Sequence, residues 1–128
     1  MKEDDPLAWV AKAEEDWDTA NTLMKRKKPY KGIICFHFQQ CAEKYLKSIL
    51  VHKGSAFPKT HDLTALSKMC EEVGILVGMD EDNLDTLSGY AATARYPGAE
   101  PLSQDVREAL QTTRAIRKFA QTFLGLKK

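Results

Sequence analysis

The sequence predicts an all-α protein, an antiparallel up-and-down bundle of four to five helices. Apolar residues recur at three- and four-residue spacing along most of the chain, and no segment alternates as a strand does. Glycine and proline divide this pattern into three long and two short segments. The short connections between them favour antiparallel neighbours. The length of 128 residues indicates one domain over residues 1–128.

The first helix begins in the acidic N-terminal segment. Asp4 or Asp5 can cap it, and Pro6 suits its first turn. We expect this helix to end near Lys28 and Pro29. Its core stripe comprises Val10, Ala13, Trp17, Ala20 and Met24.

The second helix, from about Lys31 to Lys53, is unusually apolar and stops at Gly54. At 100° per residue, one face contains Ile34, Cys35, Phe38, Cys41, Ala42, Tyr45, Leu46 and Ile49. The other side, which we call the mixed face, contains Ile33, Phe36, His37, Gln40, Glu43, Lys44 and Lys47. Three interpretations of the mixed face stay open: packing on two sides within the bundle, self-association, or ligand binding.

Two short helices follow. The third is expected to be capped by Thr60, with inward residues Leu63, Leu66, Cys70 and Val73. Asp80 or Asp82 can cap the fourth, whose stripe is Leu84, Leu87, Ala91 and Ala94. Pro97 ends it, because the residue before a proline is pushed out of helical geometry.

The fifth helix opens at Pro101 and Ser103, with Asp105 in its first turn. Gly125 closes it before a short basic tail. The apolar seam of this helix comprises Val106, Ala109, Leu110, Ile116, Ala120 and Phe123.

Composition narrows the classes of function. Net charge is +1, so no overall field draws the chain to nucleic acid or membrane, and any anion site must be local. The N-terminus is acidic where a signal peptide would be basic, and no apolar run approaches the ~20 residues of a membrane span. Cys35, Cys41 and Cys70 are expected to be buried reduced thiols. These features predict a cytoplasmic protein that does not bind membranes.

Recognisable catalytic and metal motifs are absent from the sequence. It contains no phosphate-binding glycine loop, dinucleotide fingerprint, nucleophile elbow or HExxH pattern. His37 and Cys41 lie one turn apart, but two ligands do not make a zinc site. We therefore expect no cofactor, no metal and no assignable catalytic residue.

Polar candidates for binding lie at helix ends. His61 can stabilise a helix start, or it can carry a proton or contact a phosphate. Arg95 can satisfy the last carbonyls of its own helix, or it can grip a phosphate while Tyr96 stacks on a base. Basic residues also gather in Lys25-Arg26-Lys27-Lys28 with Lys31, and along the last helix at Arg107, Arg114, Arg117 and Lys118. A solvated face is the default interpretation of both groups.

The chain resembles the HEPN family. The resemblance runs from about Leu7 to Leu124 and rests on four segments: Ala13-Glu14-Glu15-Asp16 with Ala20, Phe38-Gln39-Gln40-Cys41-Ala42-Glu43-Lys44 with Leu46-Lys47, Thr60-His61-Asp62-Leu63, and Ala94-Arg95-Tyr96-Pro97. It implies a helical bundle, commonly a homodimer with a cleft between facing helices. It also implies either a partnership with a minimal nucleotidyltransferase in a toxin–antitoxin pair or a metal-independent ribonuclease.

The ribonuclease pattern fails at one residue. Ribonuclease members carry an Arg followed, after four to six residues, by His, whereas Arg95 is followed by Tyr96-Pro97-Gly98-Ala99-Glu100-Pro101-Leu102. The nucleotidyltransferase-associated branch remains. Our hypothesis is a homodimeric module that binds a nucleotide or RNA, or pairs with a nucleotidyltransferase, through Lys44, Lys47, His61, Arg95 and Tyr96. A ribonuclease with an altered site, using Arg95 and His61, and a pure interaction scaffold are the alternatives.

Overall fold

A computed structural model describes residues 2–94, 96–98 and 100–126 of the chain. In these ranges a 3₁₀ turn over Lys2–Asp4 precedes α1 (Pro6–Met24), α2 (Lys31–His52), α3 (Leu63–Glu72), α4 (Glu81–Thr93) and α5 (Ser103–Phe123). The described ranges contain no strand, so the predicted all-α class is confirmed. The helices form a bundle around one apolar cluster.

The first helix starts where the sequence indicates and ends earlier. The Asp5 side chain caps α1, with Pro6 as its first residue. The helix stops at Met24 rather than near Lys28 and Pro29. The N–H of Lys25 bonds three residues back, to the carbonyl of Thr22, which tightens the last turn.

One predicted cap is wrong. Asp62, not Thr60, caps α3, and its carboxylate accepts a hydrogen bond from the Ala65 N–H at 3.2 Å. The Thr60 hydroxyl instead accepts from the Asp62 N–H at 3.1 Å, which fixes the turn before the helix. The fourth cap falls at Asp80, the first of the two predicted positions.

The second helix is the centre of the bundle and packs against each of the other four. Its predicted apolar face is fully buried at all eight positions: Ile34, Cys35, Phe38, Cys41, Ala42, Tyr45, Leu46 and Ile49. All three cysteines are buried free thiols, as predicted. Burial raises the pKa of the Cys70 thiol to about 11.

Contacts between the helices give their directions. The α1–α2 pair is antiparallel, because the Trp17 ring meets Phe38 while Trp9, earlier in α1, meets Lys47, later in α2. By contrast, α5 runs in the same direction as α2. The Thr113 hydroxyl donates to the Phe38 carbonyl at 3.2 Å, and further along Gln121 donates to the Tyr45 hydroxyl at 3.1 Å.

The connection from α2 to α3 explains why α5 runs in the same direction as α2. This connection returns along α2 instead of making a tight hairpin, so the helices that follow do not simply alternate in direction. Phe57 lies within 5.6 Å of the Lys47 ammonium, and His61 reaches Glu43. This loop and the start of α1 together cover the C-terminal half of the mixed face.

Candidate functional site: polar clusters and an end groove

Asp16 of α1 holds two residues of the mixed face. Its carboxylate lies 2.8 Å from His37 Nδ1 and accepts a hydrogen bond of 2.6 Å from Lys44 Nζ. Burial alone would raise the pKa of Asp16, but the hydrogen bonds from His37 and Lys44 outweigh it and hold the pKa below its usual value. The Lys44 charge is therefore compensated inside the chain.

Glu43 is the centre of a second cluster. Only 4 % of this residue is exposed. Its carboxylate lies 2.8 Å from Lys47 Nζ and 2.7 Å from His61 Nδ1. The Gln39 amide donates both to Glu43, at 3.2 Å, and to the carbonyl of His61, at 2.9 Å. Glu43 thereby links α2 to His61, two residues before the start of α3.

Lys47 is enclosed as well as paired. It is 7 % exposed, and its ammonium lies 5.7 Å from the Trp9 ring centroid and 5.6 Å from that of Phe57. Separating a buried ion pair costs about 3–5 kcal/mol. A phosphate would bind Lys47 only if the free energy gained in that contact exceeded this cost. The position of Lys47 instead suits it to hold α1 and the loop against α2.

A third cluster joins the first helix to the last. The Arg117 guanidinium donates to both carboxylate oxygens of Glu14, at 2.7 and 2.8 Å, and stacks on Trp17 at 4.7 Å. The Tyr45 hydroxyl also donates to Glu14. The sequence signal for this cluster is weak, because Arg117 is one of several cations on a helix face that is expected to be solvated. Its partner, Glu14, lies in the segment that carries the HEPN resemblance.

The segments of that resemblance therefore account for most of these polar ties. Asp16, Gln39, Glu43 and Lys44 all belong to them, and each takes part in a hydrogen bond that joins parts of the chain distant in sequence. In this fold, the residues of these segments therefore form the hydrogen bonds that join the helices and the loop before α3. No described residues form a cluster of three His, Cys, Asp or Glu side chains able to hold a metal.

The structure places Tyr96 away from these clusters. It borders a groove of about 540 Å³ at the end of the bundle, between the start of α2 and the chain after α4. The distance along α2 from Ile33 in this groove to Lys44 and Lys47 is roughly 16–21 Å at 1.5 Å per residue. Lys44, Lys47 and His61 thus lie near one another, Tyr96 does not join them, and Arg95 lies outside the described residues.

This end groove brings together residues that lie far apart in sequence. Tyr30 and Tyr96, 56 % and 63 % exposed, both line it, with Lys31 and Glu100. Gly32 lets the start of α2 approach the end of α4 closely, because a Cβ at position 32 would lie 2.6 Å from the Ala94 carbonyl oxygen. The remaining lining residues are Pro29, Ile33, Ala94, Pro97 and Pro101.

The basic turn between α1 and α2 borders the same groove. The Arg26 guanidinium lies 4.7 Å from the Tyr30 ring centroid and donates to the Tyr30 hydroxyl at 3.3 Å. Within the described ranges, no ion pair to a carboxylate is formed by any cation of the set Lys25, Arg26, Lys27, Lys28 and Lys31. Lys44 and Lys47, by contrast, each form an ion pair with a carboxylate. The cations of the basic turn lie in or directly before the segment that lines the end groove, where Lys31 and Glu100 are the charged lining residues.

Comparisons with known proteins agree with the architecture. No helix in the described ranges has both the length and the hydropathy required to cross a membrane. Neither the curated proteins nor the solved structures include a significant match to this sequence. The family model described as HEPN domain matches residues 7–123, nearly the whole chain. The protein therefore belongs to the HEPN family.

Proposed function

We propose that this HEPN protein is a non-catalytic binding module that holds a nucleotide by its phosphates at the end groove. The observation that carries the proposal is the position of the basic α1–α2 turn beside a groove that two exposed tyrosines line, with Lys31 in the lining and Arg26 stacked on Tyr30. Lysine and arginine attract phosphates, N–H groups at a helix start add to that attraction, and aromatic rings stack on bases. Tyr96 lines this proposed site, and we also propose Arg95 as a phosphate contact, although it lies outside the described residues.

Lys44, Lys47 and His61 have a different part in the proposal. Lys44 is paired with Asp16 and Lys47 with Glu43, and the His61 ring contacts Glu43 as well. These three residues therefore contribute structure first, and they bind an anion only where a ligand displaces a carboxylate. With a few positioned cations and an exposed groove, the affinity should fall between micromolar and millimolar.

Fluorescence anisotropy with labelled ATP and with a short single-stranded RNA tests this proposal. The Lys27→Glu/Lys28→Glu variant should weaken binding by about tenfold or more, since charge-assisted hydrogen bonds are worth ~1.5–3 kcal/mol each. Arg114→Glu/Lys118→Glu is the matched control, because both side chains are exposed on α5 and the charge change is the same. Equal losses in the two double variants, or no binding by the unmutated protein, would refute the proposal.

A homodimer is the second element of the proposed function. Ile33 and Phe36 are only half-buried on the outer side of α2, beside His37, whose ring lies 5.4 Å from that of Phe36. Apolar surface at such a position suits an isologous contact. Phe36→Glu should then move the sedimenting mass from about twice the chain mass toward the monomer. A monomeric unmutated protein at micromolar concentration would exclude the dimer.

Pairing with a minimal nucleotidyltransferase, as in a toxin–antitoxin system, is the partner form of this proposal. Co-expression of the chain with the product of an adjacent nucleotidyltransferase gene, followed by size-exclusion chromatography, tests it. Co-elution that is lost in Lys27→Glu/Lys28→Glu would support pairing through the end groove. Separate elution would leave nucleotide binding as the proposed function.

Ribonuclease action is the second candidate function, and one pair of residues favours it. His61 is bonded to Glu43 while its side chain stays 66 % exposed, an arrangement that orients an imidazole for proton transfer. General acid–base groups contribute 10²–10⁴-fold to rates, so the assay is decisive. We expect no metal-independent RNA cleavage above background. Cleavage abolished by both His61→Ala and Arg95→Ala would establish the ribonuclease instead.

A further inference from the structure

The two ends of α4 lie near groups of opposite charge. Its C-terminal end meets the end groove, where Ala94 approaches Gly32, and the basic α1–α2 turn leads into the same groove. Its N-terminal end, about 20 Å away along 13 helical residues, exposes an acidic segment. The exposed carboxylates there are Asp80, Glu81, Asp82 and Asp85. Because the net charge is +1, the chain has a separation of charge rather than an excess of either sign.

Apolar surface accompanies the charge at both ends. Leu76, four residues before Asp80, is 70 % exposed, the largest exposed fraction among the bulky apolar residues described. The groove at the other end is bordered by Tyr30, Ile33 and prolines. A contact between the two ends would therefore pair apolar surface with apolar surface and negative charge with positive charge.

We infer that the end groove of one copy receives the acidic end, Leu76 to Asp85, of a second copy, so that the molecules associate head to tail. The two surfaces differ, so each bound copy leaves one groove and one acidic end available for further association. Such a heterologous contact builds a chain or a ring, whereas an isologous contact stops at two. Opposite charges on the two surfaces also steer successive copies into the same orientation.

This contact regulates the site proposed above, and that part of the inference rests on the proposed function. A nucleotide in the end groove and the acidic end of a second copy would compete for the same cations. Nucleotide should therefore dissociate the head-to-tail assembly. Conversely, assembly at high protein concentration should lower the apparent affinity for nucleotide.

Sedimentation velocity over a range of protein concentrations tests the contact without any ligand. At about 50 mM salt the weight-average mass should rise with concentration beyond that of a dimer, and at about 500 mM salt the rise should disappear. A dimer formed through apolar α2 residues would persist at both salt concentrations. A mass independent of salt would overturn the inference.

Charge reversal gives the sharper test. Lys27→Glu/Lys28→Glu removes most of the positive charge of the basic turn, and Asp80→Lys/Asp82→Lys cancels the negative charge of the acidic end. Each variant alone should lose the salt-sensitive association, and an equal mixture of the two should regain it. Arg114→Glu/Lys118→Glu should associate as the unmutated protein does, and circular dichroism confirms that each variant is folded. Failure of the mixture to regain association would refute the contact.

Adding ATP separates the two proposals. Association that ATP does not dissolve would uphold the head-to-tail contact and count against nucleotide binding at the groove. ATP binding by a protein that never associates would uphold the groove as a nucleotide site and end the head-to-tail inference.

Discussion

Replacing Glu43 by alanine should destabilise the protein far more than an exposed carboxylate would. Glu43 is 4 % exposed and compensates Lys47, which is itself 7 % exposed, so the substitution leaves a buried ammonium without its counter-ion. Removing one partner of a buried pair costs about 3–5 kcal/mol. The bonds from His61 and Gln39 to the same carboxylate are lost as well. We expect a loss of at least about 3 kcal/mol in the free energy of unfolding.

The chain offers a matched control for this substitution. Glu15 pairs with Lys12 at 3.6 Å, but both side chains are about two-thirds exposed. Such a pair contributes only ~0.2–1 kcal/mol, so Glu15→Ala should be close to neutral. Comparing the two variants separates the effect of burial from the mere loss of a negative charge.

Urea denaturation followed by circular dichroism at 222 nm measures the difference. At roughly 3–5 °C per kcal/mol for a chain of this length, Glu43→Ala should also lower Tm by about 10–20 °C. The double variant Glu43→Ala/Lys47→Met should recover part of the loss, because it removes the uncompensated charge as well. If the free energies of unfolding of Glu43→Ala and Glu15→Ala agree within about 1 kcal/mol, the Glu43 cluster does not stabilise the bundle as we propose.

Three further predictions concern single features of the fold. Because its folded pKa is lowered, Asp16 contributes stability above its unfolded pKa of ~3.9 that is lost as pH falls through the folded value. The stability difference between wild type and Asp16→Asn should therefore be constant near neutral pH and shrink toward pH ~3; a difference that grows on acidification would contradict the assignment. Gly32→Ala should be about 1–3 kcal/mol less stable than Gly89→Ala, since a Cβ at position 32 meets the Ala94 carbonyl and one at position 89 meets nothing within 4 Å; equal urea midpoints would disprove the close approach. Cys35, Cys41 and Cys70 should resist a thiol reagent at pH ~8 in the folded protein and react fully in denaturant, because all three thiols are buried; rapid labelling of the folded chain would show that α2 is not central.

The sequence could predict the helices and the core of this fold because those features have local causes. The apolar face of α2 follows from periodicity alone, and Asp5, Pro6 and Gly54 mark helix ends by their own backbone and side-chain preferences. The cap of α3 was misplaced by two residues, because Thr60 and Asp62 both suit that role and only the turn geometry separates them.

The partners of the charged residues could not be predicted, because they lie far apart in sequence. Lys47 is one turn from Lys44 and looks like half of an anion site, yet Glu43, Trp9 and Phe57 enclose it. Glu14 and Arg117 are 103 residues apart. The end groove could not be predicted for the same reason, since Tyr30 and Tyr96, which both line it, lie far apart in sequence.

Mapping a nucleotide onto the chain by NMR is the most direct test of the central claim, that the end groove rather than the α2 lysines receives the phosphates. Amide chemical shifts of ¹⁵N-labelled protein are followed as ATP is added at low salt. We predict shift changes concentrated in residues 25–33 and 96–101, with Glu43 and its neighbours on α2 unchanged. Shift changes centred on Lys44, Lys47 and His61, with residues 25–33 unmoved, would contradict it.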